Sequence, residues 1–183
     1  MIDGTLMMAF DGNAVPSAQC HGRDPGVWEE AHRQFQRSRR DRGIKRWWER
    51  LTGSVSNLSS LSAATSQLTV NTRYELGLGS VAIASIVGSE GRSCDFDSAF
   101  HPMQTHSKSR WVRIAAAHLC GDTLPPVLLI KVGEKYYVRD GHHRISVSRA
   151  LGRTDIDAQV IVWHVSAQAD DSKDRKRALA ATA

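Results

Sequence analysis

The sequence predicts an α+β fold in which helices pack around a small mixed sheet, preceded by a basic helical extension. Short apolar strands and amphipathic helices occur in segregated runs, which is typical of this class. The last of these strands, from Ile156 to Trp163, alternates between two sets of side chains with the period of a β-strand. With 183 residues, of which 41% are hydrophobic, the chain has room for one domain with extensions.

Five segments are expected along the chain. Residues 27–51 combine many arginines with apolar residues spaced three and four apart, which predicts a basic helix. The residues that follow are rich in serine, whose side chain competes with helical hydrogen bonds, so they are interpreted as a linker. The segments are a flexible leader (1–26), the basic helix (27–51), a Ser-rich linker (52–72), the α+β domain (73–165) and a charged tail (166–183).

The elements of the domain are predicted from apolar runs and from the residues that end them. Pro125 and Pro126 introduce an apolar strand, and Gly133-Glu134 turns the chain back into a second one. Glycines at positions 121 and 152 are expected to end the two helices. In chain order we expect a strand at Ser80–Ile83, a helix at Ser107–Leu119, strands at Val127–Val132 and Lys135–Val138, a helix at Ile145–Leu151 and a strand at Ile156–Trp163.

Composition and charge narrow the classes of protein. The formal net charge is +5 and the pI is near 9.4, which favours acidic partners such as nucleic acid or nucleotides. No run approaches the ~18 consecutive apolar residues that a membrane span needs, so no span is expected. Three cysteines without any CxxC spacing predict a reducing, cytoplasmic location, with Cys94 and Cys120 as ordinary buried residues.

The strongest local signal is a strand that passes through glycine into a helix opening with His142, His143 and Arg144. A helix N-terminus presents unpaired N–H groups, and Gly141 would let a ligand approach the backbone closely. Arg144 adds a planar fork that matches phosphate oxygens, and the two histidines could hydrogen-bond phosphate. Asp140 could cap the helix or hold a divalent cation. The alternative, in which Asp140 is only a cap and the histidines are solvated turn residues, stays open.

The run LPPVLLIKVGEKYYVRDGHHRISVSRALG resembles the nucleotide-binding core of the ParB/sulfiredoxin superfamily, over residues 81 to about 162. In ParB proteins a Gly-Glu-Arg-Arg motif grips the phosphates of a nucleotide, and the matching positions here are Gly141, His142, His143 and Arg144. The resemblance implies a ParB/sulfiredoxin-like fold that binds ATP or CTP with Mg²⁺. It also implies that nucleotide binding is coupled to DNA binding, nucleotide hydrolysis or DNA cleavage.

Sulfiredoxins carry Gly-Gly-Cys-His-Arg at the same place, so His143 and Arg144 agree with that branch of the superfamily. The attacking cysteine of sulfiredoxin, however, falls on His142. An imidazole cannot form the thiol adduct that this chemistry requires. The protein is therefore not expected to be a sulfiredoxin reductase.

Two upstream residues extend the expected site. Arg92 ends a loop that occupies the place of an arginine-ended loop in ParB proteins, so we expect it to be a second phosphate contact. Free-serine kinases of the same superfamily are similar around an Asp-Gly-His motif and use an upstream glutamate to activate a hydroxyl. That resemblance makes Glu90 a candidate acid or base, together with His142 and His143. A polar surface loop is the alternative interpretation of the upstream segment.

Basic residues outside the motif predict a nucleic-acid surface. On a helix, arginines three residues apart share a face, and they could continue a phosphate-binding surface from the motif. In the basic segment, arginines precede two tryptophans that could stack on bases. In both places the alternative is a solvated helix face, with the tryptophans packed on the domain. The candidate nucleic-acid contacts are Arg39, Arg40, Arg46, Lys108, Arg110 and Arg113.

Three functions from different classes are compatible with these features. The first is a ParB-like module that binds ATP or CTP and couples binding to DNA contact, nucleotide hydrolysis or DNA cleavage. The second is a small-molecule kinase of the free-serine type, and the third is a non-catalytic binding module. The expected partners are a nucleotide, DNA and, in a homodimer, a second copy of the chain.

Overall fold

The computed structural model of the protein describes residues 24–52, 58–104 and 107–167. The predicted leader through residue 23 and the predicted tail beyond residue 167 lie outside these ranges, as do the side chains at positions 45, 46 and 48–52 of the first helix. The helices are α1 (Pro25–Thr52), α2 (Leu61–Thr65), α3 (Lys108–Leu119) and α4 (His142–Ala150). The strands are β1 (Ser59–Ser60), β2 (Leu68–Ala82), β3 (Ile86–Ser89), β4 (Val127–Val132), β5 (Lys135–Asp140) and β6 (Asp155–Ala167).

The strands form one six-stranded mixed sheet in the order β1-β3-β5-β4-β6-β2. β4 and β5 form an antiparallel hairpin, and β2 runs antiparallel to β6. The pairs β1 with β3, β3 with β5 and β4 with β6 are parallel. Gly133 has a φ of +58° in the turn between β4 and β5, a conformation that glycine adopts at little cost. The predicted α+β class with a mixed sheet is confirmed.

The two faces of the sheet are covered by different helices. Side chains alternate between the faces along a strand, so the adjacent residues Leu129 and Ile130 of β4 point in opposite directions. Leu129 belongs to the main core together with Ile145 of α4. Ile130 packs instead with Tyr137 and with Leu61 of α2. α4 and α2 therefore lie on opposite faces of the sheet.

The predicted basic helix is confirmed as α1, and it packs against α3. Ala31 and Phe35 lie one turn apart and are fully buried, and the Phe35 ring meets Trp111 edge to face with centroids 5.4 Å apart. Arg42 Nη1 donates a hydrogen bond to the Met103 carbonyl at 3.3 Å. Trp47, by contrast, is 58% exposed.

The described part of the Ser-rich segment, residues 58–72, forms strands and a helix rather than the predicted linker. Ser59 and Ser60 form β1 beside β3, and the chain continues directly into α2 and then β2. Leu58 and Leu61 are each only 3% exposed, because they pack into the two cores of the sheet. Burial of these two leucines outweighs the weak local preference of the serines between and around them.

Two element boundaries also differ from the prediction. The strand expected at Ser80–Ile83 is the end of a 15-residue strand, β2, which pairs along its length with β6. The helix expected at Ile145–Leu151 begins at His142, since the preceding glycine provides the turn into it. Pairing with β6 stabilises β2 in residues whose sequence pattern alone does not indicate a strand.

Two expectations drawn from composition can be compared with the described residues. Cys94 is exposed and free, so the prediction that it is buried is wrong. Cys120 is disulfide-bonded and half-buried, which also differs from an ordinary buried thiol. Within the described ranges, no helix combines the length and the apolar character needed to cross a membrane.

Candidate functional site

The motif begins at a tight connection between β5 and α4. β5 ends at Asp140, Gly141 has a φ of +98°, and its carbonyl accepts the first helical hydrogen bond from the Ile145 N–H at 3.0 Å. A Cβ placed on Gly141 would lie 2.5 Å from Cγ1 of Val127. Both the left-handed backbone and the lack of space therefore require glycine here. The turn brings the end of β5 and the first turn of α4 to one cavity.

Arg144 is held by three hydrogen bonds within the protein. Its Nη1 donates to the Pro125 carbonyl at 2.5 Å and to the Pro126 carbonyl at 2.9 Å. Its Nη2 donates to Oδ2 of Asp140 at 2.6 Å, in an ion pair in which the Arg144 side chain is 15% exposed. Burial lowers the pKa of Arg144, while the neighbouring Asp140 carboxylate opposes that shift. The arginine thus joins the start of β4, the end of β5 and α4.

His142 is buried and bonded to β3. Its Nε2 lies 2.7 Å from Oγ of Ser89, and the same hydroxyl oxygen accepts the backbone N–H groups of Gly91 and Arg92 at 3.3 and 2.9 Å. With both lone pairs occupied, the Ser89 hydroxyl has its proton to donate, so His142 Nε2 is the acceptor and the imidazole is neutral. Burial and the nearby Arg92 lower the pKa of His142 to about 4, consistent with this protonation state.

Phe96 fixes both histidine rings. It stacks on His142 with centroids 5.8 Å apart and meets His143 edge to face at 5.2 Å. His143 is 7% exposed and contributes to the cavity wall. The alternative of solvated turn histidines is therefore wrong, because both rings are enclosed by the protein.

The cavity at this connection has a volume of about 140 Å³ and is strongly cationic. Four arginines reach it from four parts of the chain: the loop after β3, α3, β5 and α4. Its lining comprises Arg92, Arg110, Ile114, Arg139, Asp140, Gly141, His142, His143 and Arg144. The structure thus brings together the predicted phosphate contacts at positions 92 and 141–144, with Arg110 added from the predicted nucleic-acid set. We call this space the arginine cavity.

Arg139 was missed by sequence reasoning, although it directly precedes the motif. Its Nε lies 3.3 Å from Oε2 of Glu90, and the Glu90 N–H donates to the Val138 carbonyl at 2.9 Å. The chain after β3 therefore stays alongside β5 and places the predicted acid or base beside the cavity, though Glu90 is not among the residues that line it. Ser89 and Phe96 were also missed, because their roles arise from contacts distant in sequence.

Asp140 is the predicted metal ligand, and its side chain is 53% exposed while it pairs with Arg144. Across the described residues, no group of three or more His, Cys, Asp or Glu side chains is arranged to hold a metal ion. Asp97, nearby in the chain, has a different role, since its Oδ1 accepts the backbone N–H groups of Ala99 and His101, each at 2.9 Å. Those contacts shape the loop that carries Phe96.

Of the other predicted nucleic-acid residues, four do not line the arginine cavity, and the side chain of the fifth lies outside the described residues. Arg39 and Arg40 are exposed on α1, and Lys108 and Arg113 are exposed on α3. Arg110 is the member of this set that lines the cavity. The position of Arg46 in α1 is described, but its side chain lies outside the described set.

A second cavity, of about 270 Å³, shares the Arg144 side chain with the first. Its wall is formed by α4, by the start of β6 and by the segment that connects α3 to β4. Polar side chains predominate in its wall, among them His118, Asp122 and Arg153. Burial, with a smaller effect of Arg153, lowers the pKa of His118. Arg144 therefore stands between two neighbouring polar spaces.

Comparisons of the chain with protein-family models, with curated proteins and with solved structures find no match.

Proposed function

We propose that this protein binds a nucleoside triphosphate, ATP or CTP, with its phosphates in the arginine cavity, as a ParB/sulfiredoxin-like module. The single observation that carries the proposal is the convergence of Arg92, Arg110, Arg139 and Arg144 on one cavity, whose lining within the described residues includes one carboxylate, Asp140. Guanidinium groups form paired, charge-assisted hydrogen bonds with phosphate oxygens. Such a concentration of positive charge favours a ligand with several negative charges.

The backbone around the cavity supports the same ligand class. α4 begins at the cavity, and the first turn of a helix offers unpaired N–H groups and a partial positive charge to an anion. The order of α3, the β4–β5 hairpin, a glycine turn and α4 also agrees with the superfamily resemblance of the sequence. The second cavity adjoins through Arg144 and offers room for the part of the nucleotide beyond its phosphates.

The residues of the cavity have two roles: some hold its shape, and others are assigned the contacts to the ligand. Arg144 and His142 are already engaged with Pro125, Pro126, Asp140 and Ser89, so they shape the cavity. Arg92 and Arg110 line the cavity and are exposed to solvent. We therefore assign them the main contacts to phosphate.

Mg²⁺ fits this arrangement through Asp140. Magnesium is commonly held by one or two protein carboxylates together with the phosphates of the substrate. Asp140 is half-exposed at the cavity and can contribute one such carboxylate without a larger acidic cluster. When bound, the ion neutralises phosphate charge, and the chain itself supplies the arginines and the helix N-terminus.

Binding is tested by calorimetric titration of ATP, CTP and ADP, each with and without Mg²⁺. We expect a triphosphate to bind, and Arg92→Ala or Arg110→Ala to raise its Kd at least about tenfold, because each removes a charge-assisted contact. Arg113→Ala is the matched control, since Arg113 is exposed on the same helix as Arg110 but does not line the cavity. An unchanged Kd in both cavity variants would refute the site.

Turnover is tested on the same preparations by product analysis. Hydrolysis that appears only with added DNA supports the ParB-like module, and its loss in an Arg39→Ala/Arg40→Ala variant would place the DNA contact on α1. A phosphorylated metabolite, lost in Glu90→Gln, would instead identify a kinase of the free-serine type. Nucleotide binding without any product would identify a binding module.

A further inference from the structure

The outer edge of β2 is the longest unpaired strand edge among the described residues. β2 has 15 residues and is the last strand in the sheet order, pairing on its inner side with β6. Tyr74, Leu76 and Leu78 are exposed by 43%, 61% and 75% along it. The strand at the other end of the sheet, β1, has only two residues. An open edge of this length presents backbone N–H and C=O groups to a further strand.

The sequence of β2 has only part of the usual protection against strand pairing. Proteins shield long edges with proline, with charged side chains such as lysine, and with β-bulges, whereas LTVNTRYELGLGSVA contains neither proline nor lysine but has two register shifts. Its register shifts relative to β6 flank Thr72–Glu75, so the four residues between them form a regular stretch. That stretch contains both charged residues of the strand, Arg73 and Glu75.

These charges identify the occupant of the edge. We propose that β2 pairs antiparallel with β2 of a second copy of the chain, about a two-fold axis at Tyr74. This axis places Arg73 of each copy opposite Glu75 of the other, so two opposite-charge pairs form at once. It also places Tyr74 opposite its own equivalent. Each of these is a favourable pair on a sheet surface.

Neighbouring registers do not satisfy the charges. An axis at Arg73 would set the two arginines against each other, and an axis at Glu75 would do the same with the glutamates. The register at Tyr74 joins the two six-stranded sheets into one continuous sheet. β4 and β6 separate β2 from β5, so the interface leaves the arginine cavity open.

The charge pairs give a register-specific test by sedimentation equilibrium or light scattering. We expect the full chain to be dimeric at micromolar concentration, and Arg73→Glu or Glu75→Arg alone to raise the dimer Kd about tenfold or more, because like charges then face each other. The double variant Arg73→Glu/Glu75→Arg restores opposite pairs and should recover the dimer. Thermal unfolding of each variant checks that the fold is retained.

A cysteine pair provides a second readout that does not depend on affinity. In a Cys94→Ser background, Tyr74→Cys should form an interchain disulfide on mild oxidation, because the two equivalent residues face each other across the axis. The control Thr72→Cys should not, since residue 72 lies two positions from the axis and its own equivalent is about 13 Å away, beyond disulfide reach. A monomeric chain, or equal cross-linking of both variants, would overturn the proposal.

Discussion

The arginine cavity has two sides that differ in how their residues are held. Its inner wall, Gly141, His142 and Arg144, is fixed by a backbone turn and by hydrogen bonds to other parts of the protein. Its rim, Arg92 and Arg110, is exposed to solvent. The difference teaches that the residues of a recognisable motif can serve mainly to build a site, while the phosphate contacts that we propose come from less conspicuous residues at its rim. Changes to the inner wall should therefore reduce stability, and changes to the rim should reduce binding.

The largest expected effect on stability comes from Gly141→Ala. Alanine at a φ of +98° costs about 1–2 kcal/mol, and overpacking against Val127 adds about 1–3 kcal/mol, so we expect a loss of about 2–5 kcal/mol in the free energy of unfolding. The control is Gly152→Ala, whose φ is +74° but whose Cβ would meet nothing within 4 Å. Chemical denaturation should show a clearly smaller loss for the control. Equal losses would mean that the contact with Val127 is unimportant.

The second effect is a pH dependence of stability that arises from His142. Its pKa is lowered to about 4 in the folded protein, below the ordinary histidine value of about 6.5. Between these values the unfolded chain binds more protons, so stability is fully present above about pH 6.5 and falls as the pH approaches 4. The shift corresponds to about 3 kcal/mol between pH 7 and pH 4.

The comparison with His142→Gln isolates this contribution. Glutamine retains a polar group for Ser89 but does not titrate, so denaturation curves of the variant should lose less stability between pH 7 and pH 4 than those of the wild type. Other titrating groups, including His118, contribute equally to both proteins and cancel in the difference. The same pH dependence in both proteins would show that His142 is not the buried neutral group described above.

The contrast between wall and rim also explains which parts of the site could be predicted from the sequence. The glycine turn into a helix is a local pattern, so Gly141, His142 and Arg144 were identified from adjacent residues. Ser89 and His142 are 53 residues apart, and their contact depends on the parallel pairing of β3 with β5. Arg139 lies on a strand whose pattern gives no sign that its side chain turns toward the cavity. Such contacts follow from topology, which a single sequence does not reveal.

The fold shows the same division between local and distant causes. β4, β5 and α3 come from apolar runs bounded by proline or glycine, and each was predicted near its observed position. The long strand β2 and the short β1 were not, because glycines and serines in these segments have weak strand preference by themselves. They are stabilised by β6 and β3, their partners in the sheet.

The smallest of the three effects distinguishes the inner wall from the rim most directly. Arg144→Ala removes the donors to Pro125, Pro126 and Asp140, and we expect a loss of about 2 kcal/mol in the free energy of unfolding. Arg113→Ala, an exposed residue on α3, should change stability by less than about 0.5 kcal/mol. Denaturation curves of both variants, paired with nucleotide titrations, separate folding from binding. Full stability of Arg144→Ala with complete loss of binding would move this arginine from the wall to the ligand-binding rim.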